Sequence, residues 1–209
     1  MHPNPAFRRT ERARSLAAAR DRGFGTLCLS ADPLPLTAHL PFVLSADGAR
    51  LNAHLVRSNP IASALADGPR PAVMSVLALD AYISPDWYGQ PDQVPTWNYV
   101  AIRLEGRLSA LPDAALHGHL ESLSDLFESR LLPKAPWHPD KMSAGVMARM
   151  MRMILPVELQ IENVESTWKL SQNKSESARL AAAAALLESD EGAAVALLSD
   201  LMRNPPEAV

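Results

Sequence analysis

A single cysteine, Cys28, leaves the chain without an internal disulfide and without a thiolate metal cluster. Placed in the apolar run 26–30, it reads as a small buried hydrophobe. Glycine-rich nucleotide signatures are missing too. There is no Walker loop, no GxGxxG, no GxSxG elbow and no HExxH, which excludes nucleotide binding of the P-loop and Rossmann kinds and the usual serine-hydrolase and zincin chemistry. No apolar run approaches the roughly 20 residues of a membrane-spanning helix. The first twenty residues lack the apolar stretch of a secretory signal, so the expectation is a cytoplasmic protein with no membrane attachment. Positive charge is not in excess: 20 Lys and Arg stand against 23 Asp and Glu, net −3. No global basic field draws the molecule to nucleic acid. The six histidines form no metal motif, because His117 and His119, two apart on a predicted helix, face different ways.

Aromatic residues are scarce, at 5%, and their clustering is therefore informative. Tyr82, Trp87, Tyr88, Trp97 and Tyr99 fall within 18 positions and include all three tyrosines. Strand-like runs at 72–84 and 97–108 flank a loop punctuated by Pro85, Gly89, Pro91 and Pro95, which is a long hairpin. Two roles are open to its aromatics: stacking on a planar ligand, or covering one end of a β core.

Earlier in the chain, residues 7–22 predict a helix with Thr10 as cap and Gly23 as stop. Its arginines (8, 9, 12, 14, 20 and 22) either touch phosphates or form a solvated face. Strands follow at 25–30, 36–44 and 50–56, with Asp47-Gly48 marking a hairpin and Pro41 predicting an edge or a bulge. At Arg57-Ser58-Asn59-Pro60 a strand ends and a helix, 61–66, begins, with Asn59 as cap and Pro60 as first helical residue. That junction is either an anion site or a capped helix with a surface arginine. Further on come a helix at 111–130, a methionine-rich helix at 143–154 read as core filler, a strand at 156–164, a polar segment at 165–173, and helical sequence over 175–203 with a break near 189–192. The expected organisation is an N-terminal arm and helix, 1–22, a β-barrel domain, 23–173, and a C-terminal helical extension, 174–209. No acid–base pair stands out, so catalytic residues are unassigned.

Five segments in order carry a family resemblance: His39-Leu-Pro-Phe42, His54-Leu-Val-Arg-Ser-Asn-Pro60, Asp80-Ala-Tyr-Ile-Ser-Pro-Asp-Trp-Tyr88, Val94-Pro-Thr-Trp-Asn-Tyr-Val100 and Trp168-Lys-Leu-Ser-Gln-Asn173. The chain resembles the PaiB family of FMN-binding negative transcriptional regulators, a branch of the FMN-binding split barrels. The resemblance implies a mainly β protein with flanking helices (α+β), a Greek-key split barrel, and a homodimer holding FMN, a small planar phosphorylated ligand, between subunits. It implies that Arg57, Ser58 and Asn59 hold the flavin phosphate, since an arginine fork pairs two phosphate oxygens. It implies that His39 and His54 meet the flavin ring or ribityl chain, and that Trp97, Asn98, Trp168, Lys169 and Gln172 complete the pocket from the far strands or the partner. The implied function is an FMN-binding regulator or flavin-dependent sensor. A flavin-dependent oxidoreductase and a haem-binding split barrel are the alternatives. DNA contact follows from the family name alone: no helix-turn-helix with a basic recognition helix is present and the net charge is negative.

Overall fold

The computed structural model describes residues 1–189 and 192–206; the expected break at 189–192 and the end of the C-terminal extension fall partly outside them. The elements, in chain order, are α1 (Arg12–Arg22), β1 (Phe24–Leu29), β2 (Leu36–Leu44), β3 (Arg50–Val56), α2 (Pro60–Ala64), β4 (Arg70–Ile83), β5 (Thr96–Ala110), α3 (Leu116–Glu128), α4 (Val146–Met151), β6 (Ile154–Lys169), α5 (Glu176–Leu187), β7 (Gly192–Ala193) and α6 (Val195–Arg203). The sheet runs β1-β2-β3-β6-β5-β4-β7, and β1 also pairs with β4. Two three-stranded meanders, β1–β3 and β4–β6, thereby close into an antiparallel barrel with flanking helices, as the resemblance implies.

Local chemistry explains the strands that bound the site. The β2–β3 hairpin turns where Asp47 Oδ1 accepts from the Ala49 amide at 3.0 Å and Gly48 adopts φ +67°, a left-handed conformation that glycine takes without steric penalty. Along β3, Leu51, Ala53 and Leu55 are buried, while Asn52 and His54 lie half-buried on the opposite face, the period-two alternation of a strand with one core face. Pro41 ends a stretch of β2, 36–41, that pairs with β1 alone and leaves its other side an open edge. It pairs with Phe24 of β1, and the β3 ladder begins at the next residue, Phe42↔Ala53. The proline thus sits where β2 exchanges one partner for the other and no ladder needs its missing N–H.

Other expectations shift. The segment before α1 is a separate 3-10 turn, Pro5–Phe7, capped by Asn4, so the predicted cap at Thr10 lies outside the helix. Residues 165–169 continue β6 rather than forming an irregular polar segment. The methionines near α4 are not core filler: Met147 and Met151 are half-buried, and Met150 and Met153 are exposed.

The chain divides into two compact units. The first gathers Met1–Asp21, Val76–Arg103 and Val164–Val209; the second gathers Arg22–Ser75 and Leu104–Asn163. Strands β4, β5 and β6 contribute residues to both. In the second unit Phe42, Leu51, Met74, Leu104, Leu108 and Leu159 form the buried core. In the first, Ile83, Tyr88, Ile102 and Leu170 are buried, as are Ala182, Ala183 and Leu186 of α5 and Leu198 and Met202 of α6. The small alanines let α5 and α6 approach closely. Arg179 reinforces the pair by donating to the carbonyls of Met202 and, at 2.7 Å, Arg203, where the last carbonyls of α6 lack helical partners.

Candidate functional site

In the second unit, Arg57 is fixed by the barrel itself. Its backbone N–H donates to the Met153 carbonyl at 2.9 Å, extending the β3–β6 ladder by one step past Val56↔Ile154. Its Nε–H donates to the Arg152 carbonyl at 3.1 Å, and its outer nitrogen donates to Asp113 Oδ1 at 2.5 Å. The guanidinium is partly solvent-facing, and Ser58 is exposed beside it. Asn59 caps α2 as expected: its Oδ1 accepts from the Ile61 amide at 2.9 Å. That carbonyl is therefore committed to the helix start. A guanidinium with Nε spent on placement and its outer nitrogen held by the exposed Asp113 carboxylate, next to an exposed hydroxyl, has the donors a phosphate requires once Asp113 gives way. These residues fit the phosphate of a flavin mononucleotide.

His39 is exposed on β2, opposite Thr26 of β1. His54 is half-buried, and its Nδ1 lies 3.0 Å from Nε2 of His119 on α3, with the rings edge to face at 5.3 Å. Burial and then the neighbouring His54 push the His119 imidazole down to about 4; burial lowers His54 as well. Both rings are therefore neutral at pH 7, and one N–H is shared between them.

The remaining candidates lie in the first unit, and most are already engaged there. Asn98 is fully buried; its amide donates to Ser171 Oγ at 3.0 Å, and Tyr88 Oη lies 2.9 Å from the same hydroxyl. Trp168 is buried, and its indole N–H donates to Ser15 Oγ at 3.2 Å. Gln172 accepts from the Leu170 amide at 2.8 Å and donates to the Trp168 carbonyl. Lys169 donates to the Trp97 carbonyl at 2.7 Å and to Thr96 Oγ1; burial, then the charge of Lys174, hold its ammonium below the ordinary lysine range. Trp97 differs from these. Its ring is 51% exposed and meets Tyr82 edge-on at 6.3 Å. In the aromatic hairpin Tyr88 covers the core, one of the two roles its sequence left open, and Trp97 presents a face to solvent.

The structure groups His54, Arg57, Ser58 and Asn59 along one strand and its exit, and Trp97, Asn98, Trp168, Lys169 and Gln172 in the other unit. Two residues the sequence reading passed over join the first group. Asp113 is the counter-ion of Arg57, and His119 is the partner of His54. The spacing of His119 from Leu116, Leu120 and Leu123 was the available signal, since it places that histidine on the buried face of α3.

Comparison with known proteins identifies the family and the fold. The family described as “Putative FMN-binding domain” matches residues 1–163. Protease synthase and sporulation protein PAI 2 of Bacillus subtilis is 27% identical over 159 residues, covering 75% of each chain. Among solved structures, the FAD and heme binding protein from Mycobacterium smegmatis superposes with a TM-score of 0.55 at 23% identity, over 78% of this chain and 73% of that one. Flavocytochrome Anf3 from Azotobacter vinelandii gives 0.56 at 16% identity, over 85% and 77%. The two solved structures share the barrel fold. With the family match spanning most of the sequence, the chain belongs to the PaiB-like family of FMN-binding domains, and its cofactor is a flavin.

Proposed function

We propose that this protein binds FMN by its phosphate at the β3–α2 junction and acts as a flavin-dependent regulator or sensor of the PaiB type. The observation that carries the proposal is the placement of Arg57: a ladder bond and an Nε bond hold it to β6 and its approach, and its outer nitrogen is held only by the exposed carboxylate of Asp113. Ser58 adds a hydroxyl donor at the same point. Asn59 acts through the helix it caps, and His39 is free to meet the ribityl chain or ring. From the partner subunit, Trp97 supplies a stacking face, and Lys169 and Gln172 polar contacts, to the flavin. When bound, FMN supplies a redox-active ring; the chain's own residues bind and orient it.

Fluorescence titration of FMN and riboflavin against the native protein and Arg57→Ala tests this reading. A phosphate there gains charge-assisted bonds, so the variant should bind FMN about tenfold to a hundredfold more weakly and riboflavin unchanged. Equal losses for both ligands would assign Arg57 to the fold. Failure of the native protein to bind either would remove the proposal. The alternative, a flavin-dependent oxidoreductase, predicts reduction of bound flavin by NADH or NADPH. The regulator predicts an FMN-dependent shift of promoter DNA that is lost as salt rises.

A further inference from the structure

A cavity borders the Arg57 junction: Leu111 and Ala115, on either side of the Asp113 counter-ion, line it. It has a volume of ≈220 Å³ and sits between α3 and the outer face of the barrel, within the second unit. The sheet supplies its floor. Val43 pairs with Asn52 and Asn52 with Glu158, so these three side chains form one row across β2, β3 and β6. Their neighbours Leu44, Leu51 and Leu159 turn to the buried core instead. The helix supplies the roof through Gly118, His119 and Ser122, which lie on one face at helical spacing.

Three features of this cavity lack an explanation inside the fold. Asn52 Oδ1 and His119 Nδ1 are buried polar atoms without a hydrogen-bond partner, and such atoms are normally satisfied. Glu158 is half-buried, and no cation pairs with it among the described residues. Gly118, in the first turn of α3, lines the cavity, and a Cβ there would meet nothing within 4 Å. Sterics do not require the glycine; its effect is to leave the cavity open.

We propose that this cavity is a binding site for a small organic cation carrying N–H donors, an ammonium or an amidinium. The chemistry of the lining selects the class. With Nε2–H of His119 donating to His54 Nδ1, His119 Nδ1 becomes an acceptor. In that tautomer it joins Asn52 Oδ1 and the Glu158 carboxylate as three acceptors with one negative charge, beside the N–H donors of the Asn52 amide. An N–H cation satisfies all three; an anion satisfies none. The volume exceeds the ~30 Å³ share of one water several-fold, enough for a ligand of a few heavy atoms.

Titration of the full-length protein with methylguanidinium and ethylammonium chlorides, followed by the ring signals of His119 in nitrogen-labelled NMR spectra, tests the site. Sodium acetate serves as the anionic probe and sodium chloride as the ionic-strength control. One of the two cations should saturate and shift the His119 ring, and acetate should not. Glu158→Gln should weaken cation binding about tenfold, and Gly118→Leu should abolish it by filling the cavity. Saturation by neither cation, which would leave water as the occupant, overturns the proposal; so does preference for acetate. Unchanged binding in Glu158→Gln overturns it even where Gly118→Leu fails to fold. No flavin enters this experiment, so its outcome is independent of the FMN reading.

Discussion

Arg57 meets its own counter-ion before it meets any phosphate. The pair with Asp113 is solvent-facing, with the carboxylate side chain 72% exposed, and such pairs contribute roughly 0.2–1 kcal/mol. Asp113 therefore competes weakly with an incoming phosphate. Asp113→Asn should tighten FMN about two- to fivefold and leave riboflavin unchanged in the same fluorescence titration; weaker FMN binding would make Asp113 a positioning residue for the guanidinium. His119 gives the second prediction at this scale. In the unfolded chain its imidazole titrates near 6.5, whereas the folded protein excludes the proton until about 4. Between these values the unfolded state binds more protons, so stability is full above about 6.5 and falls as pH drops towards 4, by up to about 3 kcal/mol. His54, lowered by burial as well, adds to the loss below its ordinary value. Thermal melts across that range should show the fall, and His119→Leu should flatten it; an equal slope in the variant would assign the acid sensitivity elsewhere. His119 was hard to see in the sequence because its partner is 65 positions away. His117-x-His119 draws attention as a local pair, while the contact that matters is tertiary. Arg57 was legible because a strand alternation and a helix cap, both local, fixed its place.

Strand β5 crosses β6 at Gly106, where a side chain has no room. A Cβ on Gly106 would fall inside the backbone carbonyl of Gln160, and neither strand has a flexible group to move aside. Glycine within a strand often marks such a close backbone approach. Gly106→Ala should destabilise the protein by more than about 2 kcal/mol, read as a lower midpoint in urea with a similar slope. A change below that would mean the two strands separate at little cost. Element boundaries were legible wherever a turn residue met a clear period, as at Asp47-Gly48 between β2 and β3. They failed where polar residues continue a strand. Residues 165–169 read as a polar segment because Glu165, Ser166 and Thr167 interrupt the apolar pattern, yet Ser166 bonds Ser15 and Thr167 accepts from the His2 amide. Their polarity answers partners on the N-terminal segment, which no local pattern displays. The methionines near α4 failed for a different reason: spacing records a helix face but not whether anything packs against it.

For the whole molecule we propose a homodimer. In the second unit Leu131, Leu132, Met150 and Met153 are each more than half exposed, apolar side chains that a two-fold partner would cover. Sedimentation equilibrium at micromolar concentration should return twice the 22.7 kDa chain mass; a monomer would overturn this assignment. Barrel closure is the part of the fold least visible in the sequence, because the β1–β4 pairing depends on register between distant segments. The same separation governs how the chain is made. Trp168 reaches Ser15 across 153 residues, so α1 leaves the ribosome long before its docking strand is translated. Throughout that interval an arginine-rich helix has no surface to bury its Leu16–Ala19 face against. A nascent chain halted anywhere before the end of β6 holds α1 undocked, so the time taken to translate β1 through β6 is the interval during which its apolar face stays uncovered.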